Sequence, residues 1–314
     1  MSSPSQRGNA QPITNPLSFS VVIPTHKGRA SIQTAVKSIL EQSWPHFELA
    51  VVADGDSEAT RTHLSGISDR RLLIFDQAPQ GVGPARNRGI AETASPWLTF
   101  LDDDDVARPE FLETWVSMIS VDTVALTAAI SQGSPETGAT IRQCHLLPAD
   151  PTLGASRILA GGFAVRRDVI QAIGGYDPNL TFAENQDLGL RLCEYICASS
   201  AGKVIHTDEV LTDIRVEHST TRIARYGGSR GDAVTILMRR YPARLARDPK
   251  GAAALYRILS WSERSNMNYR AARIASIRAC RLAPGTRENW RSLVLALFPW
   301  LAEGRTTRHR EAVL

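Results

Sequence analysis

The chain has 314 residues, 43% hydrophobic and 22% charged, a balance that suits a soluble globular protein with one large core or two smaller ones. No apolar run reaches the ~18 residues a membrane span needs, and the nearest, residues 293–301, is shorter and holds Pro299. The net charge of +4 conceals a split: residues 1–221 carry 17 Lys/Arg against 26 Asp/Glu, a net −9, and residues 222–314 carry 19 against 6, a net +13.

In chain order, residues 1–16 are rich in Ser, Pro, Asn and Gln and lack the apolar centre of a signal peptide, so they are expected to form a disordered tail. Residues 19–23 form a short apolar run stopped by Pro24, a strand signal. A helical pattern follows, with Ile32, Ala35/Val36 and Ile39/Leu40 on one face. Residues 47–53 read as a second strand ending in Asp54-Gly55-Asp56-Ser57, and 57–64 as a helix. A third strand is expected at 72–75, a third helix at 84–93 and a fourth strand at 97–101. Such alternation with short connections implies parallel βαβ units covered on both faces. Further strands are expected at 121–129 and 140–147, separated by a Gly/Ser/Pro loop, and at 161–165. A helix at 168–173 closes on Gly174-Gly175 as a C-cap. Thr181-Phe182-Ala183-Glu184 has the spacing of a capping box, opening a helix with Leu188, Leu192 and Tyr195/Ile196 on one face. Beyond residue 222 the signal is helical and rich in Ala, Arg and Leu.

Cys144, Cys193, Cys197 and Cys280 have neither zinc nor disulfide-framework spacing, which fits a reducing, cytoplasmic location. Cys193 and Cys197, four residues apart on a helical pattern, read as small core residues.

The chemistry concentrates at the strand ends. Leu101 is followed by Asp102, Asp103, Asp104 and Asp105, and four adjacent carboxylates repel one another unless something cationic sits among them. Hard oxygen ligands at a strand end suit Mg²⁺ or Mn²⁺, held through one or two carboxylates plus substrate phosphates. The same run also serves as an acidic loop or as the approach to a helix after Arg108-Pro109-Glu110. The clusters Thr25-His26-Lys27 and Asp54-Gly55-Asp56 lie at the ends of the first two strands, where ligands bind in parallel sheets.

The ordered set Val21-Val22-Ile23-Pro24-Thr25, Val51-Val52-Ala53-Asp54-Gly55-Asp56-Ser57, Gly83-Pro84-Ala85-Arg86-Asn87-Arg88-Gly89-Ile90, Phe100-Leu101-Asp102-Asp103-Asp104-Asp105, Gly174-Gly175-Tyr176-Asp177 and Glu184-Asn185-Gln186-Asp187-Leu188 resembles the family-2 glycosyltransferases with the GT-A fold. The resemblance covers residues 19–221. It implies an α/β, GT-A type, Rossmann-like mixed sheet sandwiched by helices, over residues 17–221. A basic helical C-terminal region, residues 222–314, follows it.

By the same resemblance the activity is inverting transfer of a sugar from a nucleotide-diphosphate donor, a UDP-sugar being favoured, to an acceptor hydroxyl. Asp104 is the expected metal ligand, with Asp102 nearer the ribose or the metal's waters, and Asp103 and Asp105 in support. Asp54 receives the nucleobase N–H, Arg86 lies near the base and phosphates, and Pro24 and Thr25 line the base pocket. His218 falls where relatives place a histidine on the metal or the diphosphate. The acid–base slot departs from the family: Asn185 stands where an Asp deprotonates the acceptor, and an amide cannot take that proton. Glu184 and Asp187 remain as candidate bases, with a catalytically degenerate nucleotide-sugar-binding protein as the alternative. The acceptor, a carbohydrate, lipid-linked or other hydroxyl, is expected to enter over residues 161–165 and 184–187. The basic region suits peripheral contact with the inner membrane face, and no nucleic acid is expected.

Overall fold

The computed structural model describes residues 17–26, 29–134, 138–215 and 229–301. The tail expected at 1–16 and the candidate ligand His218 lie outside the described residues. The chain divides into two compact units. The first comprises Met1–Pro148, Ser156–Pro178 and Leu188–Val216, and the second Ala149–Ala155, Asn179–Asp187 and Glu217–Leu314.

The first unit begins with strands β1 (Phe19–Thr25), β2 (Phe47–Asp54), β3 (Leu72–Gln77) and β4 (Trp97–Phe100). They are joined by helices α1 (Ile32–Leu40), α2 (Ser57–Leu64) and α3 (Val82–Glu92). All of β1 and β4 is buried, which is why these segments read as continuous apolar runs rather than alternating ones. There follow β5 (Val106–Ala107), α4 (Phe111–Met118), β6 (Thr123–Ser134), β7 (Gly138–Gln143), β8 (His145–Leu146), β9 (Ser156–Arg157), β10 (Phe163–Arg166), α5 (Arg167–Ala172), α6 (Glu184–Ser199), whose residues 184–187 belong to the second unit, and β11 (Lys203–Arg215).

The main sheet runs β3-β2-β1-β4-β10-β6-β11-β5, with β7 paired to β6 and β8 with β9 in a separate ribbon. The four leading strands are mutually parallel. β10 then runs antiparallel to both β4 and β6, so the sheet is mixed, as expected. Because β1, β2 and β4 run the same way, Thr25, Asp54 and Asp102 emerge at one edge. Helix α3 lies tight on β1: a Cβ added at Gly89 would meet Val22 Cγ1 at 2.3 Å. The turn that leaves β2 needs Gly55, whose φ of +112° side chains rarely adopt.

The second unit holds α7 (Ser229–Arg240), α8 (Pro242–Arg247), α9 (Pro249–Ser265), α10 (Tyr269–Leu282) and α11 (Arg287–Leu297). The caps are local: Asp248 accepts from Gly251 N and Asn268 from Ala271 N. Among the described residues no helix is long and apolar enough to cross a membrane.

Several expectations hold and several are corrected. Gly174 N–H bonds Gln171 O and Gly175 N–H bonds Ile170 O, the Schellman closure expected after α5. The capping box does not form as drawn. Helix α6 starts at Glu184, and its first turn closes from Asp187 N–H to Ala183 O, so Thr181 lies too far upstream to cap it. Cys193 is core, but Cys197 is exposed. The loop expected after residue 129 is instead a continuation of β6, which pairs with β7 as a hairpin. Residues 161–165 are buried, with 163–165 in β10 between β4 and β6, so their side chains offer no surface for an acceptor.

Candidate functional site

The four aspartates after β4 alternate in direction, and their partners explain why. Asp103 is buried, and its Oδ2 accepts from Thr25 Oγ1 at 2.6 Å, tying the ends of β1 and β4 together. Burial pushes its carboxyl up to about 6, against the pull of the Thr25 hydroxyl, with neighbouring Asp104 adding to the rise. Asp105 is also buried and accepts from the Arg215 N–H at 3.1 Å, fixing the end of β11. Asp102 and Asp104 point the other way and keep 38% and 27% of their side-chain surface exposed. Each meets an arginine: Arg86 Nη2 donates to Asp102 at 2.7 Å, and Arg29 Nη1 to Asp104 at 3.0 Å.

Arg86 itself is buried in α3, with its guanidinium over the Tyr176 ring at 5.1 Å. Tyr176 is held in turn by Asn87, which accepts from its N–H and donates to its carbonyl, both at 2.8 Å. Held on both sides, the guanidinium fixes the orientation of Asp102 at the strand end.

Asp54 closes β2 from a buried position. Its carboxylate accepts from Gln77 Nε2 at 2.8 Å, from Gln80 N–H at 2.8 Å and from Gly81 N–H at 2.9 Å. These bonds bind the loop that enters α3 to the end of β2. His26 Nδ1 donates to the Asp54 carbonyl at 2.6 Å. A carboxylate offers about four acceptor sites, so three protein donors leave room for one more. Pro24 is buried in β1 beside these residues.

Residues 20–174 match the model of the glycosyl transferase family 2. The matched segment is a glycosyl transferase family 2 domain. A curated relative, the UDP-Glc:alpha-D-GlcNAc-diphosphoundecaprenol beta-1,3-glucosyltransferase WfgD of Escherichia coli, is 30% identical over 101 residues. That stretch is 32% of this chain and 40% of the relative, so well under half of the relative's length is spanned. Among solved structures, S. aureus TarS in complex with UDP-GlcNAc aligns with a TM-score of 0.55 at 16% identity, covering 89% of this chain and 79% of that one. The mannosyltransferase PcManGT from Pyrobaculum calidifontis, in complex with GDP-Man and Mn²⁺, gives 0.53 at 14% identity, covering 89% and 84%. At these identities the likeness is one of fold, and that fold is the GT-A type expected from the resemblance.

Of the site residues expected from the sequence, the first unit carries Pro24, Thr25, Asp54, Arg86, Asp102, Asp103 and Asp104 at the C-terminal ends of its parallel strands or in the helix beside them. Glu184 and Asp187 belong to the second unit. Asp187 is fully enclosed there, its Oδ1 accepting from Arg240 Nη1 at 2.6 Å and from Tyr241 Oη at 2.9 Å. Glu184, at the first position of α6, is half-buried. The sequence did not single out Arg29, Gln77 or Tyr176, which complete the hydrogen-bonded and aromatic frame. Only Tyr176 carried a signal, as part of the Gly174-Gly175-Tyr176-Asp177 segment.

Proposed function

We propose that this protein transfers a sugar, with inversion, from a nucleotide-diphosphate donor to an acceptor hydroxyl, assisted by Mn²⁺ or Mg²⁺. The outward pair Asp102 and Asp104, set beside Asp54 and Arg86, carries the reading. Among the described residues no three His, Cys, Asp or Glu side chains gather into a metal cage. A cation that keeps waters and takes one or two carboxylates plus phosphate oxygens needs none, so the two exposed carboxylates suit it. Asp104 and Asp102 would hold it, and bound there it supplies charge neutralisation at the leaving diphosphate.

In this reading Asp54 takes the nucleobase N–H with its remaining acceptor site, and Thr25 and Asp103 brace the loop rather than touch the donor. Arg86 orients Asp102 and adds positive charge near the phosphates. A UDP-sugar is the proposed donor. TarS was solved with UDP-GlcNAc and PcManGT with GDP-Man, so nucleotides of both bases are to be tried. Glu184 is the proposed base. Asp187 already has a guanidinium and a phenol on one buried oxygen, whereas a base has to reach the acceptor hydroxyl. The Escherichia coli relative is named for an acceptor on diphosphoundecaprenol. A lipid-linked or carbohydrate hydroxyl is accordingly the acceptor proposed here, met at the cytoplasmic membrane face through the basic C-terminal region. The deciding assay is donor hydrolysis and transfer at saturating Mn²⁺: Asp104→Ala is expected to abolish both, and unchanged rates overturn the reading.

Asn185 favours a second reading, a nucleotide-sugar-binding protein without turnover. Asn185→Asp discriminates between them. Activity gained from nothing supports degeneracy, and activity lost from a working enzyme supports the amide as part of the mechanism.

A further inference from the structure

The helices α9, α10 and α11 meet through small residues, and α10 and α11 turn large apolar side chains outward. Their contact surfaces bury small residues, among them Ala253, Ala272, Ala279 and Ala296. A chain of hydroxyls runs between them, Ser260 to Ser276 at 2.7 Å and Ser276 to Ser292 at 3.0 Å. The large apolar side chains face outward: Ile274 and Ile277 from α10, and Trp290, Val294 and Leu297 from α11, with Trp300 following 62% exposed. Water-soluble helices do the reverse, and a contiguous exposed apolar patch marks an interaction surface. Trp290, Val294 and Leu297 fall at i, i+4 and i+7, one stripe along α11. Beside that stripe, Ile277, Arg281, Trp290 and Leu293 line a groove.

Charge points to the occupant. Over residues 269–301 the exposed cations are Arg270, Arg273, Arg278, Arg281, Arg287 and Arg291, against Glu288 as the sole acid. A second copy of this face would set arginine against arginine. An anionic bilayer offers the opposite charge beside apolar chains, and Trp and Arg favour the boundary between the two. With 14 and 11 residues, α10 and α11 are far shorter than the ~20 residues of a span, so they suit a position in the plane of the membrane surface.

We propose that the outer face of α10 and α11 docks on an anionic lipid bilayer, seating Trp290, Val294, Leu297 and Trp300 at the headgroup–chain boundary, with the exposed arginines of the same two helices supplying the opposite charge. This sharpens the membrane contact proposed above and rests on it. The test is co-sedimentation of the full chain with phosphatidylcholine vesicles, with and without phosphatidylglycerol. Wild type is compared with Trp290→Ser/Leu297→Ser and with Arg281→Glu/Arg291→Glu, each checked by its melting curve. Wild type is expected to bind only the phosphatidylglycerol vesicles. Each double variant should bind about tenfold more weakly or worse, as loss of buried apolar area or of surface charge requires. If the apolar pair binds like wild type while the arginine pair does not, the membrane contact stands and the apolar docking face fails. If no vesicle binds wild type, both fail. A dimer in sedimentation equilibrium that the Trp290→Ser/Leu297→Ser change dissolves would make a second copy the occupant and overturn the proposal.

Discussion

Replacing Asp187 by alanine separates a carboxylate that holds the fold from one that performs chemistry. The Asp187 side chain is fully buried and its Oδ1 receives two donors, Arg240 Nη1 at 2.6 Å and Tyr241 Oη at 2.9 Å. Asp187→Ala leaves the guanidinium facing a site that water reaches poorly. Removing one partner of a buried ion pair costs about 3–5 kcal/mol. Arg240 keeps 34% of its side-chain surface exposed, so its charge is partly solvated. The Tyr241 hydroxyl also lies 3.3 Å from the Asp187 carbonyl, which stays in place. Both facts put the expected loss near the lower limit, about 3 kcal/mol. Asp187→Asn keeps the volume and one acceptor, so about half that loss is expected. Urea unfolding measures it directly, through a lower midpoint at unchanged slope. Initial rates are then taken per mole of folded protein, beside Glu184→Gln. The expected pattern is a destabilised but active Asp187→Ala and a stable but inactive Glu184→Gln. An Asp187→Ala protein as stable as wild type yet inactive, with its pH–rate profile displaced, refutes the structural assignment of Asp187.

Three further outcomes follow from the first unit. The Asp103 carboxyl titrates near 6 when folded against 3.8 for the free group, so the folded chain binds that proton more tightly. Stability is therefore predicted to fall by up to about 3 kcal/mol from this group as pH rises between those values. Asp103→Asn should remove that slope in urea midpoints, and parallel pH curves for variant and wild type contradict it. Asp54→Asn cannot accept with both oxygens, so one donor among Gln77, Gln80 and Gly81 loses its partner. A loss of about 1–3 kcal/mol in stability is expected, with weaker nucleotide binding by calorimetry. Gly89→Ala sets a methyl group 2.3 Å from Val22 Cγ1 and should cost about 1–3 kcal/mol in urea unfolding. An unchanged midpoint would show that α3 can move off β1.

The leading βαβ units were legible because both period and punctuation agreed with the fold. The expected helix at 57–64 is α2, and the apolar runs at 19–23 and 47–53 became β1 and β2. Helix α4 shows in the sequence only as a helix start after Arg108-Pro109-Glu110, without bounds, and strand β11 has no clear signal. β11 mixes exposed and half-buried positions along its length, so its sequence, with Asp208, Glu209 and Asp213 inside it, shows no clean alternation. Thr181 misled because the capping-box spacing was present while Ala183, at φ +59°, made the actual turn into α6. At the site, residue types were legible and directions were not. Four consecutive aspartates have no periodicity, and Thr25 and Arg215, which bond the inward Asp103 and Asp105, lie far off in sequence. Arg29 pairs with Asp104 across 75 positions of sequence, a contact that local pattern cannot reveal.

The most direct measurement is calorimetry of UDP binding with and without Mn²⁺, on wild type, Asp104→Asn and Asp103→Asn. The outward carboxylates predict a metal-dependent gain in affinity that Asp104→Asn abolishes and Asp103→Asn keeps. The reverse pattern, or the same affinity in all three proteins with and without metal, would contradict the assignment of Asp104 as the residue that holds the cation against the donor.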